Sequence, residues 1–187
     1  MADEIARGAA RWATAVAVPT ALAIGLGGYL LLSPAPAAES RQPGTPPGVS
    51  ATTPVTMPVV PTGAATRRAC ADVVARTPPA IRHLARRPVV GADATSTAYG
   101  EPAITMACGG TAPTYPGTDL VFNLDSVCWH STVTPTGIDF TTVDRTIPVR
   151  VHIPTVYGSA GQWAIEFSGP VAAALPPTAN VPFGCRG

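Results

Sequence analysis

The chain has 187 residues, enough for one domain of ordinary size with accessory segments, and its 46% hydrophobic and 12% charged content excludes a chain that is disordered throughout. A formal net charge of +1 leaves no global field to attract nucleic acid, so that class of partner is set aside. All 12 basic residues are arginines, a usage better read as coding bias than as function.

The first element is apolar. Trp12 to Leu32, "WATAVAVPTALAIGLGGYLLL", runs for 21 residues without a charge. At about 1.5 Å per residue it reaches roughly 30 Å, the thickness of a bilayer core. Arg7 and Arg11 precede it and no basic residue follows before Arg41. The positive-inside rule then puts residues 1–11 in the cytoplasm and everything after Ser33 outside. The expectation is a single-pass signal anchor over residues 12–32. Its runner-up is secretion after cleavage near Ala37, because Ala35-Pro36-Ala37 forms an A-x-A site. Signal peptides have apolar regions of roughly 7–15 residues, which favours the anchor. Residues 33–66 are proline-rich, weakly charged and without hydrophobic periodicity, so they read as a semi-rigid spacer.

Residues 67–187 read as the extracytoplasmic domain. "TRRACADVVAR" predicts a helix capped by Thr66, with Cys70, Val73 and Val74 on one face. "TPPAIRHLARRP" predicts a second short helix capped by Thr77, with proline at its first position and Pro88 as its stop. Alternation then takes over. Strands are expected at about 103–108, 120–124, 127–132, 139–143 and 148–153, separated by turn-forming glycine, proline, aspartate and serine. "VRVHI" alternates most cleanly, with Val149, Val151 and Ile153 opposite Arg150 and His152. Trp163, Phe167 and Val171, four apart, mark a closing helix over 159–175, bent at Gly169-Pro170. The predicted fold is α+β: an antiparallel meander sheet of about five strands covered by an N-terminal and a C-terminal helix, preceded by a single transmembrane helix.

Cys70, Cys108, Cys128 and Cys185 lie on the expected outer side, where disulfides persist. Four cysteines allow three connectivities; topology favours Cys70–Cys108, joining helix to first strand, and Cys128–Cys185, tying the tail to a mid-sheet strand. Close C-x₂-C pairs are absent, so no metal is expected, and no cofactor motif occurs. Catalytic chemistry has thin support. His83 falls among arginines. His130 and His152 are candidates for sharing the solvent face of the sheet with Asp139 or Asp144 as a base–orienter pair. Arg67, Arg68, Arg76, Arg82, Arg86 and Arg87 form the one charge cluster, a solvated helical face or a contact for anionic lipid or wall polymer. Arg82, Arg86, Arg87, Glu101 and Arg145 are the candidate ligand or partner contacts.

Taken in order, "CADVVARTP", "LARRPV", "YGEPAITMACG", "FTTVDR" and "VRVHIP" resemble the actinobacterial family known as domain of unknown function 3515, over about Cys70 to Leu175. Tyr99-Gly100-Glu101-Pro102 matches the acid–proline pair after an aromatic–glycine that its members often carry. The resemblance also implies that Cys70 and Cys108 correspond to the family's cysteine pair, whereas Cys128 and Cys185 rest on parity alone. It implies an envelope location and no reaction. The expected function is therefore a non-enzymatic, membrane-anchored binding or accessory module facing outward. Its partner would be a protein in the membrane, an anionic lipid or a wall polymer. The alternative is an extracytoplasmic hydrolase or transferase acting through His130 or His152 and an aspartate.

Overall fold

The computed structural model describes residues 52–92, 94–179 and 181–185. The expected cytoplasmic segment 1–11, the transmembrane helix 12–32, the cleavage site near Ala37 and the spacer up to residue 51 lie outside them. Among the described residues, no helix is long and apolar enough to cross a membrane.

In chain order the elements are β1 (Val55–Met57), α1 (Ala64–Arg76), β2 (Ala80–Ile81), β3 (Leu84–Arg87), β4 (Val89–Gly91), β5 (Ser96–Tyr99) and β6 (Ile104–Cys108). They continue with β7 (Val121–Leu124), β8 (Val127–Thr134), β9 (Gly137–Thr142), β10 (Val149–Pro154), α2 (Gly161–Ala164) and α3 (Ser168–Ala174). The fold is α+β. One antiparallel sheet of eight strands runs in the order β2-β3-β5-β6-β10-β9-β8-β7, and β1 pairs separately with β4 in parallel.

The sheet is larger than the expected five strands, and it is not a simple meander. After β6 the chain crosses to the far edge, starts β7, and returns through β8 and β9 so that β10 lands beside β6. Three strands of this sheet escape the alternation rule. The predicted second helix is the β2–β3 hairpin: Ile81 and Leu84 face each other across a two-residue turn, with Arg82 at φ 52 in the left-handed region. Strand β5 is polar yet buried, with Ser96 and Thr97 at 3% and 1% exposure, so hydrophobicity does not announce it.

The helices also shift. Helix α1 is capped at Gly63, not Thr66, with Arg67 N–H donating to the Gly63 carbonyl at 3.0 Å. Thr77 ends this helix, its hydroxyl donating to the Val74 carbonyl at 2.7 Å, and does not begin another. The closing helix breaks over Ile165–Phe167, as a 3₁₀ turn, one turn before the expected bend. Pro170 has no N–H for the carbonyl of Glu166 and its ring crowds that group, so the irregularity falls ahead of the proline. The ordered domain also begins before residue 67, since β1 pairs with β4 and Val55 N–H donates to the Pro88 carbonyl at 2.8 Å.

Register sorts the side chains into two faces. Met106, Val151 and Phe140 align on one face, as do Cys108, Val149, Thr142 and Trp129. Cys70 and Val73 of α1, Trp163 and Ala164 of α2, and Phe167, Val171 and Leu175 pack into the same core. Trp129, fully buried, donates its indole N–H to Ser168 at 3.1 Å, which satisfies a polar pair inside that core.

Candidate functional site

The opposite face is polar. Alignment of Ala107, Arg150, Thr141 and His130 across β6, β10, β9 and β8 places these four side chains in a row on it. Two residues along, Thr105, His152, Asp139 and Thr132 form the parallel row. Both expected histidines are thus on one face, as the alternation implies. They lie two strands and two residues apart, so their Cα atoms are separated by about 12 Å.

Each histidine has its own carboxylate. His152 Nδ1 stands 2.7 Å from Asp139 Oδ1, its cross-strand neighbour, and Thr136 Oγ1 lies 3.4 Å from His152 Nε2. A carboxylate only accepts, so Nδ1 is the donor to Asp139, and in the neutral ring Nε2 is then the acceptor facing the threonine hydroxyl. His130 Nε2 stands 3.0 Å from Asp119 Oδ2, and Tyr115 stacks on the ring at 4.4 Å with planes 16° apart. Tyr115 and Asp119 come from the crossing segment between β6 and β7, which therefore lies over this end of the face. Sequence reasoning missed both, because a long irregular connection gives no periodicity from which to place it. Asp144, the other expected partner, is elsewhere: it is buried beside Arg145 at 3.4 Å.

A family model described as "Protein of unknown function (DUF3515)" matches residues 16–180, well over half of the chain. The chain belongs to the DUF3515 family. No curated protein and no solved structure matches it.

In this DUF3515 domain the residues expected to meet a ligand have internal partners. Arg87, with its side chain 6% exposed, donates through Nη1 to the Gly100 carbonyl at 2.8 Å and to Glu101, and through Nη2 to the Thr53 carbonyl at 2.8 Å. Glu101 is paired but half-exposed and precedes a cis bond to Pro102. Arg86 donates to the Val74 carbonyl at 3.1 Å, closing the end of α1. Arg82 lies 4.8 Å over the Trp163 ring and donates to Glu166 at 3.1 Å and to the Gln162 carbonyl at 2.7 Å. Arg145 donates to the Leu175 carbonyl at 3.2 Å and to the Ser126 carbonyl, joining α3 to the β7–β8 turn. These residues are scattered over the domain and do not converge on one site.

Near Arg87, Tyr157 donates to the Pro102 carbonyl at 2.6 Å. Burial first, and then the Glu101 carboxylate, push its ionisation above the ordinary tyrosine value, with Arg87 opposing. Gly100 sits at φ 69, where a Cβ would come within 2.7 Å of the Tyr157 oxygen, so a glycine is required beneath this tyrosine.

Two cysteine pairs lie at disulfide distance: Cys70 with Cys108, and Cys128 with Cys185, at Cα separations of 5.4 and 5.8 Å. They fasten opposite faces, since Cys108 points to the core and Cys128 shares the parity of His130. Cys128 is on β8, next to the edge strand rather than in the middle of the sheet. Such pairs suit an oxidising, extracellular environment. Among the described residues no group of three histidine, cysteine, aspartate or glutamate side chains is placed to hold a metal ion.

Proposed function

We propose that this DUF3515 protein is a non-enzymatic, extracytoplasmic binding module, tethered by the apolar segment 12–32 and presenting the polar face of its sheet to a partner or envelope component. The observation that carries this reading is the polar face itself. The core face lies under α1, α2 and α3, whereas on the other face Arg150 and Thr132 stay exposed beside partly buried His152 and Asp139. The acid–base side chains on that face are tied into two separate pairs about 12 Å apart, an arrangement better suited to recognition than to joint proton transfer.

The test is crosslinked capture from membranes at native expression, comparing wild type with Thr132→Arg. A partner recovered by the wild type and lost from the variant supports the reading. Capture of no partner at all, or capture indifferent to the substitution, sinks it.

A second reading has one specific observation in its favour, the line Asp139–His152–Thr136. It makes His152 the base that takes the Thr136 proton as the hydroxyl attacks an acyl or phosphoryl centre, with Asp139 stabilising the imidazolium. A fluorophosphonate probe tests it: labelling of Thr136 that disappears in His152→Gln supports a hydrolase or transferase, and unlabelled Thr136 removes this reading.

A further inference from the structure

Of the arginines that the structure describes in the domain, most have a carbonyl or carboxylate to hold. Arg67 donates to Thr62, Arg76 to Asp72, Arg82 to Glu166, Arg86 to Val74, Arg87 to Thr53, and Arg145 to Leu175. Arg150 differs. It is exposed at the centre of the polar face and has no hydrogen-bond or ion-pair partner among the described residues. The nearest carboxylate on that face, Asp139, is diagonal to it and turned to His152 at 2.7 Å.

Arg150 borders a groove. A small chamber of about 100 Å³ is lined by Arg150, Thr141, Thr111 and the glycine pair 109–110. It shares Val60, Gly110, Thr111 and Pro148 with a larger neighbouring one of about 490 Å³, whose wall adds Thr62, Thr66 and Thr146. No carboxylate and no aromatic ring lines either chamber. Gly109 and Gly110 stand at φ 102 and 88, a backbone that keeps the turn tight and free of side chains beside the guanidinium.

We propose that this groove binds a hydroxyl-rich ligand carrying one oxyanion, a sugar acid or a sugar phosphate, with Arg150 as its anchor. The inference rests on the reading of the polar face as a binding surface and names the chemistry of its ligand. A guanidinium presents a planar fork that matches a carboxylate or a phosphate with two parallel N–H donors. The small chamber has the volume of only about three waters, enough for one oxyanion and too little for a ring. The larger chamber is in the range that holds a small molecule's body, roughly 300–1,000 Å³. Its threonine hydroxyls donate to or accept from sugar hydroxyls, while Val60, Ile147 and Pro148 supply apolar wall for the ring's C–H face. Without an aromatic wall the groove has nothing on which a nucleobase would stack, which excludes nucleotides as its preferred ligands.

The experiment is calorimetric titration of the full chain in detergent with glucose 1-phosphate, glucuronate and glucose. Saturable binding of the phosphate, the carboxylate or both is expected, with glucose silent; the two anionic arms tell which oxyanion is preferred. Arg150→Gln, at an exposed position that leaves the fold intact, weakens that binding by about tenfold or more, and Arg150→Lys keeps part of it. Undiminished binding in Arg150→Gln overturns the proposal, as does the absence of binding by either anion up to about 10 mM. If anion binding depends on Arg150 while crosslinked capture ignores Thr132→Arg, the groove stands and the face's role in partner capture falls.

Discussion

The two halves of the sheet, called its ends below, are fastened by the same pair of devices, placed differently. At the N-terminal end, Cys70–Cys108 joins α1 to the core face, and Arg87 gathers the carbonyls of Thr53 and Gly100. At the C-terminal end, Cys128–Cys185 joins the tail to the polar face, and Arg145 gathers the carbonyls of Leu175 and Ser126. The carboxylates beside the two arginines separate the ends: the Glu101 side chain is 47% exposed, Asp144 only 8%. Water can take over from Arg87 at Glu101, but nothing replaces Arg145 at Asp144. One clamp is therefore a backbone tie with an ion pair on its rim, and the other is a buried charge pair whose halves depend on each other.

One of the two largest expected effects follows from that dependence. Arg145→Met leaves the Asp144 carboxylate buried without its cation and costs about 3–5 kcal/mol in chemical denaturation, and adding Asp144→Asn restores part of the loss. An equal cost for Arg87→Met would erase the distinction between the ends. Next come the cysteines. With sequence separations of 38 and 57, loop entropy predicts about 4 kcal/mol for removing either pair. Cys70 and Cys108, 0% and 1% exposed, both sit in the main core, whereas Cys128 is 1% exposed outside it and Cys185 only partly buried, so replacing the first pair by alanine opens the larger core void and is the costlier change, read by thermal melting of the two double variants. Arg87→Met is expected to cost about 1–3 kcal/mol, for the carbonyls it leaves unpaired. Glu101→Gln, solvent-screened, stays below about 1 kcal/mol.

The smallest effect is confined to one end and depends on pH. Because the native state raises the Tyr157 ionisation above 10.0, the unfolded chain loses that proton first as pH climbs. Its stabilising contribution is whole below the ordinary value and drains away as pH rises through the raised one. Denaturation at pH 9 and pH 11 should show a loss that Tyr157→Phe reduces.

Much of the sheet was legible because burial on one face imposes alternation. The strands around "ITMAC", "VFNL", "VCWHST" and "VRVHIP" fall within two residues of their expected bounds. The β2–β3 hairpin was misread for a physical reason: apolar residues three apart, Ile81 and Leu84, mark a helix face and equally flank a two-residue turn. Arg82 at φ 52 distinguishes the two, and sequence shows no backbone angle. The site was half legible. The alternation that put Arg150 and His152 outside was plain, whereas Asp119 and Tyr115 reach His130 through a crossing that only the strand order explains. The arginines were weighed by clustering along the chain, but what decides their role is which carbonyls lie within reach, as Arg87 and Arg145 illustrate against Arg150.

The short parallel pairing of β1 with β4 has a mechanical consequence. A pull on the chain ahead of residue 52 enters the domain through the Thr53 carbonyl, gripped by Arg87, and then along the Val55–Met57 ladder. The ladder lies outside the main sheet and Arg87 sits on β3 near its edge, so the load falls on a small sacrificial joint before it reaches β6, β10, β9 and β8, the strands that carry the polar face. Stretching the chain from that side would thus peel the joint first and leave the polar face of the sheet intact.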